Sequence, residues 1–280
     1  MKPAHVHLLS AAAAEASRWA SEADFSKRRI RILDVGCGYG QLLVDLVEAW
    51  PRLGLELPEV EVYGFEVYDH RAGSPGYCAA VVSQLSRAVP AVEWADRIRF
   101  AAANEPWPFP DGFFDLCISN QVLEHVQDLQ GFFGEERRVA RPGGASLHFY
   151  PSEETWVEPH CGVPWAHRVD RARLRKWLRA WSRLGVGKFP GYRRSRGTTL
   201  EAFCEEFYRY LGRYVFFRSN RQISAWAAEG VSSSGFGYGR ELVGRGLRDD
   251  WEPFPYRFQR RLSGRCGLAR WGSCTLARRF

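Results

Sequence analysis

Apolar and polar residues alternate along the first half of the chain in a pattern that predicts strands separated by helices. The run Ile30–Val35 is apolar with a single acid, and Gln41–Trp50 then has helical spacing. Further short runs have the apolar, β-rich pattern of strands: Val60–Glu66, Arg97–Asn104, Leu116–Ser119 and Ala145–Tyr150. Because strands alternate with helices, the pattern predicts an α/β fold built on a parallel sheet.

A glycine-rich turn joins the first predicted strand to the first helix. It consists of Gly36, Cys37, Gly38, Tyr39 and Gly40, and Asp34 lies two residues ahead of it. Glycine permits positive φ angles and close approach of a ligand to the backbone, and the turn's amides face whatever sits at the helix N-terminus. The pattern therefore predicts a ligand-binding turn. A tight turn without a ligand is the alternative.

Composition narrows the class of protein. The 280 residues are 45% hydrophobic, enough for one large domain or one domain with a cap. No run of 18 apolar residues occurs, so neither a membrane span nor a signal peptide is expected. The seven cysteines form no C-x-x-C pair, which predicts reduced thiols in a cytoplasm, without disulfides or zinc. The net charge of +7 has no RNA-binding motif beside it, so nucleic acid is not an expected partner.

The G-x-G-x-G spacing, with Asp34 ahead of it, resembles motif I of the class I methyltransferases that use S-adenosylmethionine (SAM). The resemblance implies that Asp34 recognises the cationic amino-acid end of SAM. It also implies that the glycine turn, including Cys37, admits the ribose and methionine. Glu66 ends the second strand, where a carboxylate can accept both ribose hydroxyls. Asp69 is the second choice for that role. The alternative is that Glu66 binds no ligand and is a solvated acid in a loop.

A second stretch, residues 105–128, resembles the post-I region of the same family. The matching residues are Pro108, Phe109, Asp111, Phe114 and Asp115. A strand should follow them, and Leu123–His125 should open a helix. Relatives usually carry an aspartate where this chain has Ala103 or Asn104, so the adenine hydrogen bond is expected from Asn104, Glu105 or the backbone. We also place Asn120, at the end of the fourth strand, among the cofactor-binding residues.

The resemblance implies a Rossmann-like, seven-stranded mixed sheet with helices on both faces and a helical cap formed by insertions. We predict one domain over residues 1–280, which divides into an N-terminal helix (1–29), a cofactor-binding core (30–151), a substrate cap (152–218) and a C-terminal helix with the last strands (219–280). Residues 271–280 resemble the antiparallel seventh strand of such sheets. A second insertion is expected over 235–267.

The expected activity is methyl transfer to a small polar or sugar-like acceptor, with oxygen favoured as the acceptor atom. Imidazoles titrate near neutral pH, so His125, His160 and His167 are the candidate bases. Pro159 and Pro164 restrict the loop that carries His160 and His167, although both histidines could simply hydrogen-bond that loop together.

Other functions stay open at this point. A lipid, a quinone or another natural product could be the methyl acceptor. A SAM-binding or regulatory protein without turnover is an alternative from another class. A nicotinamide-dependent oxidoreductase is disfavoured, because its fingerprint requires G-x-G-x-x-G.

Three residues that could bind a metal lie where the helix after the strand Leu116–Ser119 is expected to begin. Gln121, Glu124 and His125 resemble the E-x-x-E-H pattern of ubiquinone-pathway O-methyltransferases, which is associated with a divalent ion. Here Gln121 replaces the first acid, and an amide oxygen is a weaker ligand than a carboxylate. We therefore expect no metal from the sequence.

Overall fold

A computed structural model describes residues 1–20, 29–53, 59–68 and 74–228, together with the backbone of 237–238 and 273–279. The strands are β1 (Ile30–Val35), β2 (Val60–Val67), β3 (Ile98–Ala101), β4 (Phe114–Asn120), β5 (Ala140–Pro151), β6 (Gly237–Tyr238) and β7 (Ser273–Arg279). The helices are α1 (Pro3–Ala20), α2 (Gln41–Ala49), α3 (Tyr77–Ala88), α4 (Leu129–Val139), α5 (Arg171–Arg183), α6 (Phe189–Arg196), α7 (Leu200–Arg213) and α8 (Asn220–Ala228). Among these described helices, none has an apolar stretch long enough to cross a membrane.

The sheet has the order β3-β2-β1-β4-β5, and these five strands are parallel. The chain reverses its direction of winding between β1 and β4, and ligands bind at such a switch point, outside the carboxyl ends of the strands. The glycine turn after β1 lies at this point. The parallel strands confirm the predicted α/β, Rossmann-like class.

Beyond β5, the segment β7 pairs antiparallel with β5, and β6 pairs with β7. The antiparallel segment has the place predicted for the closing strand. The complete seven-stranded mixed sheet stays a prediction, because most of residues 229–272 lie outside the described residues. Most of the predicted second insertion and the second-choice acid Asp69 also lie outside them.

Alternate strand residues supply two separate cores, one on each face of the sheet. Ile32 and Ile118 pack with α1, α2 and α3 on one face, whereas Leu33 and Cys117 pack with α4 and α8 on the other. This is the two-residue period of a strand that is buried on both faces. A third cluster, centred on Phe203, holds the cap helices α5, α6 and α7 together.

Two predicted boundaries are wrong. The helix expected to open at Leu123 begins instead at Leu129, where the Asp128 side chain accepts a hydrogen bond from the Gly131 amide at 3.0 Å. Gln121 has a φ of +58°, which turns the chain sharply at the end of β4 and folds residues 122–125 into a tight turn. The strand predicted to start at Ala145 begins instead at Ala140, beside a register shift between Phe114 and Leu116.

Three buried polar side chains connect β4, β5 and α4. Ser119 Oγ lies 2.8 Å from His148 Nδ1, and Glu136 Oε1 lies 3.1 Å from His148 Nε2. All three residues have no exposed surface. A serine, a histidine and an acid in this order can form a nucleophilic triad, but complete burial separates these groups from any substrate. The network therefore serves to fasten α4 to the sheet.

Replacing Glu136 with alanine is expected to lower the free energy of unfolding by roughly 2–4 kcal/mol, because His148 would lose its buried partner. Urea denaturation would measure the change. Glu201→Ala is the matched control, since Glu201 is largely exposed and its contact with Arg179 is 3.9 Å long. The control should stay within about 1 kcal/mol of the parent. Equal losses in both variants would contradict a structural role for the network.

Candidate active site

A cavity of about 1210 Å³ opens at the carboxyl ends of the strands, at the switch point beside the glycine turn. The sheet and its loops form one side, and the cap residues Arg213, Tyr214 and Phe216 contribute to the other. Typical small-molecule sites have about 300–1,000 Å³, so this cavity has room for two ligands. The predicted site residues in its lining are Gly36, Glu66, Asn104, Glu105 and His125.

The glycine turn has the predicted strand–turn–helix geometry. Gly36 has a φ of +72°, and a Cβ there would lie 2.4 Å from Val122 Cγ2. Gly38 has a φ of +53°, and a Cβ there would meet no atom within 4 Å. The amides of Gly36 and Cys37 both donate to the Phe65 carbonyl, at 2.8 and 3.0 Å. The turn is thus held against β2 and leaves space that a ligand can fill.

Two acids lie behind and beside this turn. The Glu66 carboxylate lines the cavity and accepts hydrogen bonds from the amides of Gly38 (2.8 Å) and Val67 (3.0 Å). Burial raises the pKa of Glu66, although these two bonds oppose the rise. Asp34 is 2% exposed, and burial together with the charge of Glu66 raises its pKa well above the usual value. Two desolvated acids side by side favour a ligand that is cationic at this end.

The post-I region forms the far wall of the cofactor half. Asn104 and Glu105 line the cavity there, and Glu105 Oε2 accepts a hydrogen bond from the Ala102 amide at 2.9 Å. The Trp107 ring lies 5.2 Å from the ring of Phe65. The Arg138 guanidinium of α4 donates to the carbonyls of Trp107 and Phe109 at 2.7 and 2.8 Å. Arg138 therefore holds the post-I turn in place.

Other predicted cofactor residues support the cavity from outside its lining. Cys37 is buried, and burial raises the pKa of its thiol well above the usual value, so it is a packing residue and not a reactive thiolate. Gly40 precedes α2 as its N-cap. Asn120 ends β4, and its buried Oδ1 has no hydrogen-bond partner within the described part of the chain.

His125, which lines the cavity, lies beside a second predicted histidine, His160. The rings of His125 and His160 have centroids 5.1 Å apart. His125 Nδ1 lies 2.6 Å from the Tyr214 carbonyl, and the carbonyl of Glu124 accepts a hydrogen bond from the Phe216 amide at 2.7 Å. These two bonds attach the returning end of the cap to the tight turn after β4.

A loop of the cap presents His160. His160 Nδ1 lies 2.5 Å from Glu158 Oε1, and the Glu158 carboxylate also accepts from the amides of His160 (3.0 Å) and Cys161 (2.7 Å). Although burial raises the pKa of Glu158, the hydrogen bond and charge of His160 lower it on balance. An ionised Glu158 thus orients both the loop and the imidazole.

Glu124 completes this group, which we call the acceptor cluster: Glu124, His125 and His160. One ligand atom of each residue lies within 4.8 Å of the others. Glu124 is 2% exposed, and neither carboxylate oxygen has a hydrogen-bond partner among the described residues. Burial raises the pKa of Glu124 to about 8, and the negative charge of Glu158 contributes to the rise.

The structure pairs His160 with His125 and not with His167. His167 Nε2 lies 3.1 Å from the Glu153 carbonyl, and its ring centroid lies 4.5 Å from that of Phe217. Trp165, with a φ of +51°, begins the short helical turn that directs His167 to this position. Neither His160 nor His167 is in the cavity lining, and the predicted role of His167 as a base stays a prediction.

For two residues near the histidines, the sequence did not predict a place in the site. Glu124 was visible in the sequence beside His125, but nothing local indicated that its carboxylate would be buried without a partner. Tyr210 of α7 places its ring centroid 5.1 Å from that of His160. No motif surrounds Tyr210, and only the return of α7 to the crevice brings it here.

Comparison with known proteins identifies the class. Residues 7–206 match a family model described as a methyltransferase domain. This match spans most of the chain, and the chain therefore belongs to that family, the class I methyltransferases that use SAM. The turn fits this cofactor, since the space around Gly38 is open and lies beside two acids, the buried Asp34 and the half-buried Glu66, that suit a cationic ligand.

Individual curated relatives match about half of this chain. An uncharacterized methyltransferase of Schizosaccharomyces pombe is 32% identical over 121 residues, which cover 43% of this chain and 39% of that protein. The norajmaline N-methyltransferase of Rauvolfia serpentina is 28% identical over 150 residues, covering 50% and 45%. The chain thus spans less than half the length of either relative. A solved SAM-dependent methyltransferase from Mesorhizobium loti is 15% identical, with a TM-score of 0.48 over 90% of this chain and 91% of that one.

Proposed function

We propose that the protein methylates a hydroxyl oxygen of a small polar or sugar-like acceptor. The observation that carries the proposal is the acceptor cluster, whose His125 lines the same cavity as the cofactor residues Gly36 and Glu66. One crevice thus has a cofactor end and an end with proton-accepting groups.

The cofactor end would hold SAM through groups of complementary chemistry. Asp34 suits the cationic amino-acid end, Glu66 suits the ribose hydroxyls, and Asn104 and Glu105 suit the adenine edge. Asn120 and Cys37 would support this end from behind. When bound, the cofactor supplies a methyl group activated by a sulfonium, so no acid catalyst is needed for the leaving group.

The acceptor cluster explains the preference for oxygen. A neutral hydroxyl is a weak nucleophile and needs a base to take its proton as the oxygen bonds to the methyl carbon, whereas a neutral amine is a good nucleophile and can release its proton to solvent after the transfer. His125 Nδ1 donates to the Tyr214 carbonyl, and this tautomer places the ring's lone pair on Nε2. His125 Nε2 can thus accept the hydroxyl proton. The Rauvolfia relative is named as an N-methyltransferase, so the choice of oxygen depends on the cluster alone.

The proposal is tested with matched acceptors. The protein is incubated with radiolabelled SAM and with pairs of compounds that differ only in a hydroxyl or an amine, such as a sugar and its amino sugar. Label should enter the hydroxyl compound, and mass spectrometry should place the methyl group on oxygen. Transfer to the amine alone would overturn oxygen as the acceptor. SAM binding without transfer to any compound would favour a binding or regulatory protein.

SAM affinity should increase as the pH rises. The pKa of Glu66 is raised by burial, so part of the population is protonated at acidic pH and cannot accept both ribose hydroxyls. Ionisation restores this capacity, and the dissociation constant should therefore fall over the pH range in which Glu66 ionises, which lies above the usual one. Calorimetry across that range measures the trend. Glu66→Gln should flatten it, and a flat profile for the parent protein would contradict the assignment.

A further inference from the structure

We propose that the acceptor cluster binds a divalent transition-metal ion, Zn²⁺ or one with similar ligand preferences. The three side chains that would bind the ion are identified by their positions alone, whatever the protein's activity. The use of the ion in catalysis rests on the proposed function. Two imidazoles and one carboxylate are a common ligand set for such ions, and three protein ligands leave a coordination position for a substrate.

The spacing of the donors suits a small ion. One ligand atom from each of Glu124, His125 and His160 lies within 4.8 Å of the other two. Ligand atoms around a tetrahedral zinc ion lie about 3.4 Å apart, given metal–ligand distances of about 2.0–2.1 Å. Binding of an ion would therefore draw the three donor atoms closer together by about 1.4 Å at most.

Hydrogen bonds around the histidines fix the nitrogen that can bind a metal. The Tyr214 carbonyl can only accept, so His125 Nδ1 carries the proton, and the lone pair is on Nε2. The Glu158 carboxylate accepts from His160 Nδ1 in the same way. Metal-binding histidines almost always donate their other N–H to a carbonyl or a carboxylate. Both imidazoles thus have the supporting contacts that are typical of ligands.

The state of Glu124 is the independent observation that points to a cation. Its side chain is almost fully buried, and both oxygens lack a hydrogen-bond partner within the described residues. Buried carboxylates are normally paired or bound to a metal. Because one ligand atom each of His125 and His160 lies within 4.8 Å of a Glu124 oxygen, a cation held by the three residues would satisfy the buried carboxylate.

This site differs from the one that the sequence suggested and discounted. The absence of an acid at position 121 weakened the E-x-x-E-H pattern, but the third donor here is His160, which comes from the cap. Gln121 is therefore not required as a ligand. The site forms only when the loop at 158–163 closes over the tight turn after β4.

A bound ion would change the role of the histidines. A hydroxyl that coordinates a divalent ion has a lowered pKa, so its proton can pass to solvent water before the oxygen attacks the methyl carbon. His125 and His160 would then act as ligands and not as bases. Closure of the cap over the ion would also position the acceptor opposite the cofactor end.

The test measures metal binding directly. The full chain is stripped with a chelator and titrated with Zn²⁺ by calorimetry and with Co²⁺ by visible absorption, which reports nitrogen and oxygen coordination. We expect one ion per chain. His160→Ala and Glu124→Gln should each weaken binding at least about tenfold, and Glu158→Gln should weaken it by about 10–100-fold through loss of imidazole orientation. His167→Ala, a matched histidine outside the cluster, should leave metal affinity unchanged.

SAM affinity, measured on the same stripped samples, separates this inference from the proposed function. Titrations that show no Zn²⁺ or Co²⁺ binding to the stripped chain, with SAM binding and methyl transfer intact, would overturn the metal site and leave the methyltransferase unaffected. Methyl transfer by the stripped chain despite tight metal binding would overturn only the ion's role in catalysis. Metal binding that persists in both His160→Ala and Glu124→Gln would also overturn it, because the ion would then occupy another position. Glu124→Gln should remain folded, since the carboxylate has no hydrogen bond to lose.

Discussion

Replacing His125 with alanine should lower turnover by about 10²–10⁴-fold, while SAM affinity changes by less than about twofold. Among the described residues of the acceptor cluster, only His125 lines the cavity, which Gly36 and Glu66 also line. Loss of its imidazole removes either the proton acceptor or a metal ligand. Steady-state kinetics at saturating SAM and calorimetry with SAM measure the two quantities.

His167→Ala is the control for this variant. His167 contacts the Glu153 carbonyl and the Phe217 ring, so its loss should lower thermal stability with turnover near that of the parent. Equal losses of turnover in the two variants would contradict the assignment of His125. A loss of SAM affinity in His125→Ala would show that the substitution disturbs the whole crevice.

The second large effect is expected at Glu66. Glu66→Ala should weaken SAM binding by about 10²-fold, since it removes two hydrogen bonds to a charged group, each worth about 1.5 kcal/mol or more. It also deprives the Gly38 amide of its partner, which loosens the glycine turn. Calorimetry with SAM measures the change.

Glu66→Gln separates the contribution of the negative charge of Glu66 to SAM affinity from that of the size and shape of its side chain. An amide oxygen can still accept from the Gly38 amide, so this variant should lose only about tenfold in affinity. SAM affinity within about twofold of the parent in Glu66→Ala would show that another group holds the ribose. Turnover at saturating SAM should be nearly normal in Glu66→Gln, because the carboxylate does not contact the acceptor end.

Local patterns in the sequence determined the cofactor half of this protein. The strand Ile30–Val35, the glycine turn and the helix that follows depend on hydrophobic period and on residues that tolerate positive φ, and all of these act within a few positions. Glu66 was predicted for the same reason, since the end of a parallel strand at the switch point faces the crevice. The structure confirms these elements and places Glu66 against the Gly38 amide.

Only the tertiary structure decided the acceptor half. His125 and His160 meet because the cap closes over the tight turn after β4, and Tyr214 orients His125 from 89 residues along the chain. Because Gln121 has a positive φ, the chain turns there and the helix predicted from Leu123 begins only at Leu129. Trp165 also has a positive φ, and the turn that it begins places His167 against Phe217. Such positions depend on long-range packing and on single backbone conformations. The periodicity of neighbouring residues does not depend on long-range packing or on single backbone conformations. The sequence therefore predicted the histidines as candidates but not the residues that they contact.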